Sequence, residues 1–510
     1  MTRAAEERTG GGHVPTFIDA ADPPSAPSDP SDAGGTAAPA SRPGPVPLLA
    51  PRDGVPDVVD TMPALADAIA ALRAGHGPVA VDAERASGHR YGQRAFLVQL
   101  RRACTGTVLI DPAALPDLSA VGDALAGVLW VLHAASQDLP CLAEVGMHPG
   151  EIFDTELAGR LAGYPRVGLA AMVEELLGLS LAKEHSAVDW STRPLPQPWL
   201  RYAALDVEVL LDLRDAVAAA LEEQGKTEWA RQEFGAVAAA TPPAARVDPW
   251  RRTSGVHRLR TRRQLAAVRE LWQERDAIAF DRDVSPGRIL PDAAIIEAAA
   301  SGARTAASLA QLHGFTGRGA QRYGRRWADA LRRAHFVDEA ELPVQHLPSE
   351  GPPPPRTWRD RDPDAAARLA ACRAALTLIS REQAVPAENL LSPDTVRRLA
   401  WHSPPASVEE LRAQLVAAGA RPWQVDLTAA PLSAALRSAA LRSASLRSAA
   451  RLSAQVAAQA SSHPAEPEGG RGPGQGHAAG HPAGHPPGNP AGRSPGQVSG
   501  RPPGHTPPER

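Results

Sequence analysis

The sequence predicts an α/β domain with a central, largely buried sheet, followed by two helical modules and flanked by unpacked ends. Three observations carry that prediction. Between about residues 46 and 235, apolar runs suited to strands (VAVDAE, FLVQL, TVLID, VLWVLH) alternate with helix-like segments. Beyond them, apolar residues recur at helical spacing in two separate stretches. Finally, 51 Pro and 43 Gly among 510 residues are too many for one continuous globule.

Residues 1–45 are rich in Pro, Gly, Ala, Ser and Asp with little apolar clustering, which predicts a disordered arm. Residues 46–240 form the α/β domain, and TPPAARVDPWRRTS (241–254) reads as a linker. Residues 255–336 follow a helical pattern through Leu265, Val268 and Trp272, then Ile289, Leu290, Ile295 and Ile296, then Leu309 and Leu312. A second linker, 337–363, includes the proline run 352–355. Residues 364–430 are helical again, with Leu369, Leu376, Ile379, Val396, Leu399, Leu411 and Leu415 as the apolar set. Residues 431–510 read as a repetitive, low-complexity tail. In LRSAALRSASLRSAA a five-residue repeat turns a helix by about 500°, so Leu436, Leu441 and Leu446 spiral and offer no packing face.

Composition narrows the function classes. The net charge of −3 is close to neutral, which still permits a basic face for nucleic acid. Lys183 and Lys226 are the only lysines, and Arg, which carries the remaining positive charge, is the better bidentate partner for phosphate. Cys104, Cys141 and Cys372 lie far apart with no C-x-x-C pair, so neither a disulfide framework nor a cysteine zinc site is expected. No run approaches about 20 apolar residues and no early segment resembles a signal peptide, so the expectation is a cytoplasmic protein with no membrane partner.

Three clusters could carry chemistry. Asp82 and Glu84 end the run VAVDAE, and residues two apart on a strand point to the same side. Two carboxylates held that close repel unless a cation lies between them, and Mg²⁺ or Mn²⁺ favours such hard oxygen ligands. The bare D-x-E spacing is weak, because Asp154/Glu156 and Asp206/Glu208 share it; the first pair stands out for following an apolar strand directly. In VLWVLHAASQDLPCLAEVG (128–146), a strand ends at His133 and a helix begins near Asp138; either Ser136 or Asp138 caps that helix, or Asp138 faces the same site. In WLRYAALDVEVLLDL (199–213), Tyr202 and Asp206 share one helix face; the alternatives are a surface tyrosine beside a solvated acid, or a phenol next to a metal site.

As an ordered set these clusters resemble ribonuclease D, of the DEDDy 3′–5′ exonucleases. The matching motifs are V-D-A-E-R-A (81–86), L-H-A-A-S-Q-D-L (132–139) and L-R-Y-A-A-L-D-V (200–207), with the Y-x-x-x-D spacing of that subclass. The segment K-E-H-S-A-V-D-W-S-T-R-P-L (183–195) resembles the stretch leading to the third motif. The resemblance covers about residues 50–235, and 255–336 resembles an HRDC domain, with 364–430 as a second, more divergent copy.

The resemblance implies a ribonuclease H-like domain with a mixed central sheet, then two all-α HRDC-type domains. It implies two divalent ions, Mg²⁺ or Mn²⁺, held by Asp82, Glu84, Asp138 and Asp206, with Tyr202 positioning the attacking water. The implied reaction removes nucleoside 5′-monophosphates from the 3′ end of RNA, notably tRNA precursors or other structured RNA with a free 3′ end. Protein partners are not implied. The Arg-rich stretch TGRGAQRYGRRWADALRRAH (316–335) offers Arg318, Arg322, Arg325 and Arg326 to the RNA backbone, with Trp327 read as a core residue. The alternatives are a DNA-directed 3′–5′ exonuclease, or a non-catalytic nucleic-acid-binding protein on a nuclease scaffold.

Overall fold

The computed structural model describes residues 44–182, 188–241, 246–347 and 351–461. Most of the expected arm, residues 183–187 of the segment before the third motif, and the tail from 462 onward lie outside the described residues.

A six-stranded mixed sheet organises the first domain. Strands β1 (Val46–Leu48) and β8 (Leu179–Leu181) form a separate parallel pair. The main sheet comprises β2 (Val58–Val59), β3 (His76–Arg85), β4 (Ala95–Ala103), β5 (Gly106–Ile110), β6 (Leu129–Leu132) and β7 (Glu151–Asp154) in the order β2-β5-β4-β3-β6-β7. β4 runs antiparallel to β3 and β5, and the remaining neighbours are parallel. β3 is therefore central, and the C-terminal ends of β3, β6 and β7 meet at one rim. The four anticipated strands are present; β1, β2, β7 and β8 were missed, being only two to four residues long.

Alternation along β3 divides its residues between the two faces. Val79, Val81 and Ala83 enter the large core with Val98, Leu100 and Ile110. The other face carries Ala80, Asp82 and Glu84, and the helix Gln197–Glu208 covers it through Leu200, Ala203 and Val207. The segment expected to be one helix at 199–213 breaks at Val209 and resumes as Leu210–Glu223.

The two helical modules attach differently. In the first, the helix Arg262–Arg282 packs against Asp292–Ser301 and Gly324–Phe336 around a core of its own. Trp250, placed by the sequence in a linker, is buried in that core, so the linker's end belongs to the module. Trp327 is also fully buried, as expected, and donates to Ala320 O at 2.9 Å. This module grips the loop between β3 and β4 through polar contacts. Tyr91 Oη donates to Asp276 at 3.1 Å, Arg94 pairs with Asp283 at 2.7 Å, and Ser285 N donates to His89 O at 3.0 Å. Arg288 Nε donates to Gly88 O at 3.0 Å.

The second module shares the large core of the α/β domain instead. Its helices include Pro363–Gln383, Pro393–Trp401 and Val408–Ala417, and all seven apolar positions named from the sequence are buried in that core. Trp423 stacks on Trp229 with centroids 4.9 Å apart and donates to Glu233 at 2.9 Å. Lys226 donates to Leu161 O at 2.8 Å and to Gln383 O at 2.6 Å. Gly163 closes this junction at φ 85°, where an added Cβ would lie 2.6 Å from Ala384 O. Only glycine fits that backbone and that approach.

The five-residue repeat corrects one expectation. A helix runs from Pro422 to Ser461, and Leu432, Leu436 and Ala439 are buried, so the repeat's first leucine does find a packing face. From Leu441 and Leu446 onward the leucines are exposed, as the spiral predicts. Among the described residues all three cysteines are free and no helix is long and apolar enough to cross a membrane.

Candidate active site

Asp82 and Glu84 project from the end of β3 toward the covering helix. Asp206, near the end of that helix, meets them: oxygens of Asp82, Glu84 and Asp206 all lie within 4.8 Å of one another. Tyr202, one turn earlier, hydrogen-bonds the Asp206 carboxylate. Its ring sits 6.4 Å from that of Trp190, a fully buried residue of the segment before the third motif. Arg193 ties that segment to the sheet by a bidentate pair with Asp111, both contacts at 2.6 Å.

Asp138 stands beside this trio without joining its tight group. It occupies the N-cap position of Leu139–Glu144, yet its side chain makes no capping hydrogen bond. The capping alternative therefore fails. The carboxylate is buried and lies 3.7 Å from Arg85 Nη2, and its charge is felt by Glu84.

The electrostatics are those of a cluster short of positive charge. Burial first, then repulsion from Asp82, Asp206 and Asp138, pushes Glu84 up to about 10. Burial raises Asp82 to about 6 against the Ala83 amide and Arg85. Asp138 and Asp206 are held well above the usual carboxylate range by burial and then by Asp82. Buried Asp138 and half-buried Asp82, Glu84 and Asp206, with Arg85 as the cation beside them, make an all-oxygen donor set that suits divalent Mg²⁺ or Mn²⁺. The Tyr202 phenol is pushed up as well, by burial and then by Asp206, Glu84 and Asp82.

Three residues that the sequence reading did not single out support the site. Asp154, at the end of β7, accepts from Ala134 N at 3.0 Å and Ala135 N at 2.8 Å, and also caps its own helix through Glu156 N and Leu157 N. It thereby pins the turn leading to Asp138, in which Ala134 adopts a left-handed φ of 59°. Arg85 follows Glu84 and faces Asp138. Gln99 lies opposite Asp82 on β4. Arg85 lies inside the first motif, and Asp154 stood out only by its D-x-E spacing; for Gln99 there was no signal, because its role depends on sheet register. Of the candidate RNA contacts, Arg318, Arg322 and Arg325 are exposed, whereas Arg326 is engaged by Glu274.

A mixed sheet whose central strand ends in two carboxylates, facing a helix that carries Tyr-x-x-x-Asp, defines a metal-dependent 3′–5′ exonuclease of ribonuclease H-like fold. Comparison with known proteins agrees. The family profile for 3′–5′ exonuclease matches residues 56–222, and that for the HRDC domain matches 264–331. A third, described as a 3′ to 5′ exonuclease C-terminal domain, matches 351–436, so this helical stretch carries a different description from the first. Ribonuclease D of Acidiphilium cryptum is 33% identical over 312 residues, covering 59% of this chain and 77% of that protein. A crystal structure of a protein from Bifidobacterium adolescentis aligns with a TM-score of 0.72 at 38% identity, over 77% of this chain and 100% of the other. Escherichia coli RNase D, an exoribonuclease involved in structured RNA processing, aligns with a TM-score of 0.56 at 27% identity, over 75% and 98%. The chain belongs to the ribonuclease D family and is a 3′–5′ exoribonuclease.

Proposed function

We propose that this exoribonuclease trims the 3′ trailers of tRNA precursors or similar structured RNAs in the cytoplasm, releasing nucleoside 5′-monophosphates. Asp82, Glu84, Asp138 and Asp206 hold two divalent ions, Mg²⁺ or Mn²⁺. The observation that carries this reading is the convergence of Asp82, Glu84 and Asp206, from two distant elements, on one half-buried point. When bound, the ions supply positive charge to the attacking and leaving oxygens of an in-line displacement.

The side chains divide the remaining work. The four acids fix the ions relative to the 3′ end. Tyr202 keeps its proton at neutral pH because its phenol titrates above the ordinary value. It therefore acts as a hydrogen-bond donor that orients Asp206 and the water next to it, and it does not abstract a proton. Arg85 offsets part of the carboxylate charge from the Asp138 side. Arg318, Arg322 and Arg325 are placed to hold the RNA backbone without reading bases; Arg326 contributes less, its charge being matched by Glu274.

The second helical module is proposed to be a divergent HRDC-type domain. In both modules the first helix has 21 residues and ends at a non-glycine residue with positive φ, Asp283 at 47° and Ala384 at 48°. At one constant spacing, buried Val268, Leu271, Ile278, Ile289 and Ile295 correspond to buried Leu369, Cys372, Ile379, Leu390 and Val396.

Digestion of a tRNA carrying a 3′ extension tests the assignment. Mononucleotide release by wild type with Mg²⁺ or Mn²⁺, its loss in Asp206→Ala, and slower attack on a matched 3′-labelled DNA are expected. Wild-type turnover in Asp206→Ala, or faster attack on the DNA, would overturn it.

A further inference from the structure

Among the described residues, one buried amide on the active-site face has no partner. Gln99 is fully buried, and neither its amide oxygen nor its amide nitrogen makes a hydrogen bond. A buried amide is costly to leave unpaired, and its retention points to a use in another state of the protein. Its position identifies that use. Gln99 pairs with Asp82 across the β3–β4 ladder and with Leu109 across the β4–β5 ladder. Directly opposed residues of antiparallel strands point to the same face, so the amide lies beside Asp82 under the helix carrying Tyr202 and Asp206.

Its neighbours on β4 narrow the choice of partner. Two residues before it, Leu97 is apolar. Two residues after it, Arg101 is engaged by Thr107 Oγ1 at 2.9 Å, by Glu208 at 3.1 Å and by Asp53 at 3.0 Å. The carboxylate acceptors on this face are those of the candidate site and that of Glu208, and Glu208 is already paired with Arg101 at 3.1 Å and Arg52 at 3.5 Å, whereas Asp82 lies directly opposite Gln99.

We propose that Gln99 is a positioning residue of the metal site: its amide donates to the Asp82 carboxylate when the ions are bound, fixing which oxygen of Asp82 faces them. The inference rests on the ion-binding reading above and extends it to a residue outside the three motifs. An ionised carboxylate only accepts, so the amide nitrogen must face it. Carboxylates that ligate metals are commonly held in this way by groups behind them, and losing such a group costs about 10–100-fold in metal affinity or activity.

Gln99→Met keeps the volume and removes the amide. Mn²⁺ titration calorimetry and thermal melts of the full chain, with and without Mn²⁺, read the effect. The expected result is a metal-free midpoint equal to or above that of wild type, together with Mn²⁺ affinity lowered about 10-fold. Turnover should fall with little change in KM for RNA. A variant that melts earlier without metal yet binds Mn²⁺ within twofold of wild type would show an ordinary core amide and overturn the proposal. A crystal structure of the wild-type protein with Mn²⁺ gives an answer even if the variant does not fold. An amide nitrogen within hydrogen-bond distance of Asp82 supports the proposal, and an amide bonded to Glu208, or still unpartnered, overturns it. Failure of wild type to bind Mn²⁺ at all would bring down the ion-binding reading itself, and this inference with it.

Discussion

Near the ends of β3 and β7 the same D-x-E pattern, Asp82/Glu84 and Asp154/Glu156, falls on the same rim of the sheet, the second pair running from the last residue of β7 into the helix Thr155–Ala162, and the two pairs have opposite characters. Asp154 is saturated: four backbone N–H groups converge on it within 3.1 Å, and Glu156 pairs with Arg160 at 2.6 Å. These N–H groups hold the Asp154 carboxylate in place, although burial still raises it to about 6, and the residue serves as a staple. Asp82 and Glu84 are surrounded by more carboxylates, with Arg85 near. Arg85 offsets only part of that charge, and the rest must be matched from outside. The third pair divides between these roles: Asp206 joins the cluster, whereas Glu208 turns away to Arg101 at 3.1 Å and Arg52 at 3.5 Å. What distinguishes a site from a scaffold here is which acids lack partners within the fold.

This comparison can be broken by substitution. Asp82→Asn should lower turnover at least about 10²-fold while leaving the metal-free melting temperature unchanged or raised, because a repelling charge is gone. An early melt without metal would place Asp82 among the staples. Asp154→Ala should do the reverse in the first instance, destabilising the fold by about 3 kcal/mol with or without metal, since it orphans backbone donors at two elements. Activity should fall as a consequence, because the turn carrying Asp138 loosens; denaturant titration checks the stability loss.

The pH dependence separates Glu84 from both aspartates, because burial raises Asp154 to about 6 as well. Asp82 rises from 3.8 to about 6 and Glu84 from 4.5 to about 10, so the folded, metal-free protein holds protons that the unfolded chain has released. Stability without metal should therefore decline as the pH climbs from about 5 to about 9, and saturating Mg²⁺ should flatten that decline. Melts at several pH values with and without the ion decide it. The smallest effect is expected at the β3–β4 loop, where Tyr91→Phe removes the bond to Asp276 and should cost about 1 kcal/mol. A shift in KM for RNA without a matching change in kcat would show that the helical module sets the shape of the rim.

The sequence made the carboxylates legible because their positions follow local rules: two apart on a strand, four apart on a helix. The apolar faces of both helical modules were legible for the same reason, and each of the named leucines in 364–430 is buried. Trp250 and Trp358 were not, because both sit in proline-flanked stretches that look like linkers until a distant core receives them. The role of Asp154, seen only as a D-x-E position, and Gln99 itself escaped notice because their partners come from a neighbouring turn and from sheet register, which no spacing along one strand encodes.

The grip of the first helical module on Gly88, His89, Tyr91 and Arg94 bears on how such enzymes are dissected. A fragment ending near residue 241 would retain every acid and the tyrosine, and so look complete by motif. It would nevertheless carry an untethered mouth and, with Trp229 and Glu233 stripped of Trp423, a bared apolar flank. Rates measured on such a fragment would describe a different nuclease from the intact chain.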